Sequence, residues 1–162
     1  MGLQTDGKPL AEFAAVKGDP QGYLTRLLQF VANQNIALVY DSAIAPARGM
    51  SAGGKITLLP DLLPAEHLAT LAHECAHEML HRGERRKETT HTVRETEAEA
   101  VAFVVCAAIG LDVNTASSDY VQLHGGDTST LADSLAVIQQ TASVILQAIE
   151  LCEATATDSP LN

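Results

Sequence analysis

At 162 residues the chain is long enough for one domain around a single core and too short for two full ones. Apolar residues make up 46% and charged residues 19%, which excludes intrinsic disorder, and no uncharged apolar run reaches the eighteen or so residues of a membrane helix. The net charge of −10 is uneven: residues 1–94 hold ten Lys/Arg against ten Asp/Glu, residues 95–162 hold ten Asp/Glu and no base, and with only 4% aromatics this argues against autonomous nucleic-acid binding.

The N-terminus, MGLQTDGKPLAEF, lacks the basic-then-apolar order of a targeting segment, and Asp6 stands where a myristoylation signal needs Ser or Thr. Cys75, Cys106 and Cys152 form an odd set without a CxxC pair, as expected of a chain kept in a reducing cytoplasm. Tyr23, Leu27, Phe30 and Val31 follow Pro20 at helical spacing and predict a helix over about residues 20–34. Ile36–Tyr40 is rich in β-formers, and Lys55–Leu59 follows a glycine-containing turn and stops at Pro60, so both read as strands of a small sheet. Between them, Gly49-Met-Ser51-Ala-Gly53-Gly54-Lys55-Ile56 spells GxSxG and also a Walker A loop that fails at Ile56. Each of those motifs needs a helix immediately afterwards, whereas a strand is predicted there, so the glycines are read as hairpin flexibility.

Pro64 suits a first helical turn, and Leu68, Leu71, Ala72, Cys75 and Met79 then recur with helical period, predicting a helix over about 64–82. The basic stretch Arg82–Lys87 breaks the pattern and reads as a solvated loop or helix end. Ala98, Val101, Ala102, Val105 and Ile109 trace another helix, about 91–109, ended by Gly110. Leu131, Leu135, Ile138, Ala142, Ile145 and Ile149 predict a last helix over about 128–153. The expected organisation is a single domain over residues 1–153, α+β and mainly helical with a small sheet, followed by a flexible tail at 154–162.

Within the helix predicted at 64–82 lies His73-Glu74-Cys75-Ala76-His77, an HExxH motif. Two imidazoles at i and i+4 project from one helix face and can reach one metal ion, with Glu74 beside them, and chance produces the pentapeptide on the order of once in a few hundred such sequences. A catalytic zinc takes three protein ligands and keeps its fourth position open. The metzincin pattern would need Gly at 80 and His at 83, where this chain has Leu80 and Gly83. The third ligand should therefore be a carboxylate from the following helix, in the gluzincin manner, and Glu95, Glu97 and Glu99 are available. At about 100° per residue, Glu95 departs from the apolar stripe by roughly 45–60°, Glu99 by more and Glu97 by the most. Glu95 is the expected ligand, Glu99 a hydrogen-bond acceptor for a liganding histidine, and Glu97 and Glu78 are expected in solvent. Retained zinc after loss of Glu95 would pass the ligand role to Glu97 or Glu99. His81 extends the histidines one turn further and is expected in the pocket wall or as a donor behind the ligands. Cys75 points to the apolar stripe and reads as core.

The segments Thr70-Leu-Ala-His73-Glu-Cys-Ala-His77-Glu-Met-Leu-His81 and Glu95-Thr-Glu-Ala-Glu-Ala-Val-Ala-Phe103 resemble ImmA/IrrE-type metallopeptidase domains, including those at the C-terminal end of ArdC-like antirestriction proteins. A looser likeness runs from about residue 22 to about 150. The resemblance implies a minimal zincin-like metallopeptidase domain with zinc held by His73, His77 and Glu95 and with Glu74 as catalytic carboxylate. Relatives often carry a DNA-binding or single-strand-binding domain, which this sequence does not show. The expected chemistry is peptide-bond hydrolysis by a zinc-activated water, with Glu74 as general base, on a peptide or protein substrate. Tyr120, His91 and His124 are candidate oxyanion donors, and the edge of Lys55–Leu59 could receive an extended peptide. The competing expectation is a non-catalytic zinc-containing binding or regulatory module of the phage or plasmid antirestriction type.

Overall fold

The computed structural model describes residues 16–113 and 128–158. In chain order the elements are α1 (Tyr23–Asn33), β1 (Ala37–Tyr40), a 3-10 turn (Ser42–Ile44), β2 (Gly49–Ser51), β3 (Lys55–Leu58), α2 (Pro64–Leu80), α3 (Gly83–Glu88), α4 (His91–Ala108) and α5 (Thr128–Asp158). The fold is mixed α+β, mostly helical, with one three-stranded sheet. α1 buries Leu27, Phe30 and Val31 along one face. It ends where Asn35 takes a left-handed φ of 62° and the Ile36 N–H donates back to the Val31 carbonyl at 3.3 Å, a helix stop that Asn tolerates.

The sheet order is β1-β3-β2, with β1 parallel to β3 and β2 antiparallel to it. Ile56 and Leu58 of the central strand point into the core and are fully buried. β2 has no counterpart among the expected strands, because three residues are too few to display a period of two. Its turn into β3 is Gly53-Gly54, with φ of 48° and 96°. Two consecutive positive φ values are what a two-residue type I′ hairpin demands, and glycine supplies both without strain. A strand follows Gly54, so the helix required by either a nucleophile elbow or a Walker A loop is absent here.

α2 starts on Pro64 and is the central helix, packed against β2 and β3, α1, α4 and α5. Leu68, Leu71, Ala72 and Cys75 are fully buried on it, and Ala98, Val101, Ala102 and Val105 are buried on α4. α5 closes the core over α1 and α4 with Ile138, Ala142, Ile145 and Ile149, and it runs to Asp158, beyond the 153 expected from its stripe. Leu135 corrects that stripe: it is 48% exposed, whereas the neighbouring Ser134 is buried. The inward position is taken by Ser134 because its hydroxyl donates to Glu97 Oε2 at 2.6 Å, a buried carboxylate that needs donors. Among the described residues no helix is long and apolar enough to cross a membrane.

β2 approaches α2 so closely that a Cβ on Gly49 would stand 2.7 Å from Thr70 Cγ2 and 2.9 Å from Glu74 Cγ. Gly49→Ala should therefore destabilise the fold by about 1–3 kcal/mol through overpacking, seen as a lower midpoint in urea unfolding. An unchanged midpoint would contradict the close approach. Burial, with the Glu78 charge adding at Cys75, pushes the thiols of Cys75 and Cys106 up to about 12. Neither should react with an alkylating reagent at neutral pH while the chain is folded, and both should react once it is unfolded, as read by peptide mapping.

Candidate metal centre

His73 and His77 stand on successive turns of α2 with their rings edge to face, centroids 4.8 Å apart. Together with Glu74 they offer ligand atoms within 4.8 Å of one another, a group that could hold a metal ion. α4 brings a second carboxylate. The Thr90 hydroxyl caps this helix by accepting the Val93 N–H at 3.1 Å, which sets Glu95 one turn in. Glu95 Oε1 lies 3.3 Å from His73 Nε2, and Glu95 Oε2 lies 3.0 Å from His77 Nε2. Ligands around a tetrahedral ion with bonds of roughly 2.0–2.1 Å sit about 3.3–3.4 Å from one another, so each of the two Glu95–histidine distances is near that between two ligands of one ion. Burial alone would raise the Glu95 pKa, but its hydrogen bonds to His73 and His77 outweigh that and hold it well below the usual carboxylate range. Burial lowers the pKa of His73 and so favours the neutral ring, the form that offers a lone pair.

Behind His77 the polar contacts continue. His77 Nδ1 is 2.8 Å from His81 Nδ1, and His81 Nε2 is 2.9 Å from Glu97 Oε1. Arg85 and Ser134 both donate to Glu97 Oε2. Glu97 is fully buried, which overturns its expected place in solvent. The apolar stripe of α4 marks only the face toward α2, whereas α5 covers the other side, so the early turns of α4 are enclosed at Thr96, Glu97 and Ala98 alike. Burial raises the Glu97 pKa, yet the bonds from His81, Ser134 and Arg85 outweigh it and keep the carboxyl below its ordinary range. Burial likewise lowers the His81 pKa.

The protons on this ladder bear on whether a cation fits in front of it. When both rings are neutral, His77 and His81 carry one N–H each. One proton must bridge the two Nδ1 atoms, and the other must face Glu97, which only accepts. His77 Nε2 is then a lone pair 3.0 Å from a Glu95 oxygen. Two acceptors at that distance repel unless a positive centre lies between them, either a proton on the ring that donates to Glu95 or a cation in its place, so the donor set is compatible with a divalent ion of the zinc type.

The site opens on a cleft of about 640 Å³ bounded by the β2 segment, α2 and the start of α4. β3 is paired on both sides, so the open edge beside the histidines belongs to β2 and not to Lys55–Leu59. Glu78 fixes that edge. It is buried rather than solvated, accepting from the Ser51 hydroxyl and, at 2.7 Å, from the Gly54 N–H, with Arg82 3.7 Å away. The reason is again tertiary: the hairpin folds over α2 and supplies donors that the helix alone lacks. The basic stretch is not wholly solvated either, since Arg82 and Arg86 line the cleft together with Arg94, and Arg85 turns inward to Glu97.

His91, at the first position of α4, is exposed and lines the cleft, while Tyr120 and His124 lie outside the described residues. Glu99 is half-buried on α4, and the carboxylate that bonds His81 is Glu97. Glu78, Glu97 and Ser134 were therefore missed as parts of the site. Only Ser134 carried a signal, standing four and eleven residues before the buried Ile138 and Ile145. Compared with protein-family models, curated proteins and solved structures, the chain matches none.

Proposed function

We propose that the chain is a zinc-dependent peptidase with a zincin-like site, in which His73, His77 and Glu95 hold the metal and Glu74 is the general base, in keeping with the resemblance to ImmA/IrrE-type domains. The observation that carries this reading is the pair of Glu95 oxygens 3.3 Å and 3.0 Å from the Nε2 atoms of His73 and His77, at the floor of an open cleft. When bound, zinc supplies an activated water at neutral pH and polarises the scissile carbonyl. Glu74 follows His73 on α2, is buried, and lines the same cleft. There it can take the water proton as the oxygen bonds to the carbonyl carbon, then hand it to the departing amine as the C–N bond breaks. An extended peptide fits the cleft as a further strand on β2, held by main-chain hydrogen bonds. Glu78 keeps that edge in place through Ser51 and Gly54.

Glu74→Gln should lower hydrolysis of a fluorogenic peptide library by about 10²–10⁴-fold while leaving stoichiometric zinc in the purified protein. Glu95→Ala should lose the zinc. Full activity in Glu74→Gln overturns the base assignment, and full zinc content in Glu95→Ala overturns the ligand assignment. A biological effect that survives Glu74→Gln would instead mark a binding module that keeps its metal for stability.

A further inference from the structure

Resting on the metal site proposed above, we infer that Glu97 is a positioning residue that acts through His81 to set which nitrogen of His77 is free to bind the ion. The ladder from Glu97 to His77 has only one workable hydrogen-bond polarity. Glu97 Oε2 is occupied by Arg85 and Ser134, and its Oε1 faces His81 Nε2 at 2.9 Å. A carboxylate cannot donate, so the His81 proton sits on Nε2 and His81 Nδ1 is an acceptor. The Nδ1 of His77, 2.8 Å away, must then be the donor, so the neutral His77 ring that can bind an ion has its free Nε2 on the side of Glu95. A buried carboxylate 0% exposed, two residues beyond the nearest ligand in sequence, thus orients a lone pair through an intervening imidazole.

The same polarity makes Glu97→Gln an unusually sharp probe. Arg85 can only donate, so the carboxamide oxygen stays against Arg85 and Ser134 and the NH₂ group falls opposite His81 Nε2. His81 must then accept at Nε2 and carry its proton on Nδ1. That proton points at His77 Nδ1, and the His77 proton moves to Nε2, where it blocks the ion. The substitution keeps side-chain volume and hydrogen-bond number but reverses every bond in the ladder.

Two measurements test this. Nitrogen-15 spectra of the metal-free protein should show the His81 proton on Nε2 in the parent and on Nδ1 in Glu97→Gln. Zinc affinity by chelator competition should fall about 10- to 100-fold in Glu97→Gln. It should recover to within about threefold when His81→Asn is added, because the Asn oxygen stands near the Nδ1 position and accepts from His77 independently of residue 97. A His81 proton that stays on Nε2 in Glu97→Gln, parent-like zinc affinity, or a loss that His81→Asn does not restore overturns the inference. Should Glu97→Gln fail to fold, the comparison moves to single variants of the parent. His81→Asn is expected to keep zinc affinity within about threefold and His81→Leu to lose about tenfold or more, with equal affinities overturning the inference. A parent protein that binds no zinc at all refutes the metal site, while the position of the His81 proton still decides the role of Glu97 by itself.

Discussion

The approach of α4 to α2 is the constraint on which the site depends, because the imidazoles come from one helix and Glu95 from the other. Small side chains are buried on both helices: Ala69, Ala72 and Ala76 on α2 and Ala98 and Ala102 on α4, and residues of this size let helix axes come close wherever they meet. The packing also sets the protonation of the site, since burial lowers the pKa of His73 and favours the ring form with a lone pair.

Burying this much polar chemistry has a cost, and the fold meets it with partners. Glu97 is surrounded by His81, Arg85 and Ser134, so two further helices, α3 and α5, and the residue capping α2 converge on one carboxylate of α4. An uncompensated charge at that depth would cost several kcal/mol or be lost by protonation, and each donor removes part of that penalty. Glu95 in front of the histidines and Glu97 behind them make a sandwich of carboxylate, imidazole, imidazole, carboxylate. Its outer member faces the cleft and its inner member is sealed under α5.

The third wall of the cleft is the hairpin, which follows the same principle on the opposite side of α2. β2 can lie against Glu74 only because Gly49 has no side chain, and the hairpin stays there because Glu78 accepts from Ser51 and from the Gly54 backbone. Glu74 and Glu78 sit one turn apart on α2 and have divided roles, one turned to the cleft beside the histidines and the other fastening the sheet edge. The basic residues around the mouth give the acidic chain a local positive rim at Arg82, Arg86 and Arg94.

Much of this architecture is written in local pattern. The helices over 64–80 and 91–108 and the pairing of His73 with His77 follow from the helical period of 3.6, and the strands at 37–40 and 55–58 from runs of β-formers and the turn residues beside them, all of which depend on near neighbours alone. The direction of Glu95 toward the histidines was legible for the same reason, because one apolar stripe on α4 marks the face that meets α2. Glu97, Glu78 and Ser134 were not legible as buried, since the elements that cover or satisfy them, α5, the β2–β3 hairpin and α4, are remote in the chain. Strand β2 was too short to carry a period. Local spacing therefore determined which residues share a face, whereas only the tertiary structure decided which charges could be taken out of water, because that depends on donors delivered from elsewhere in the fold.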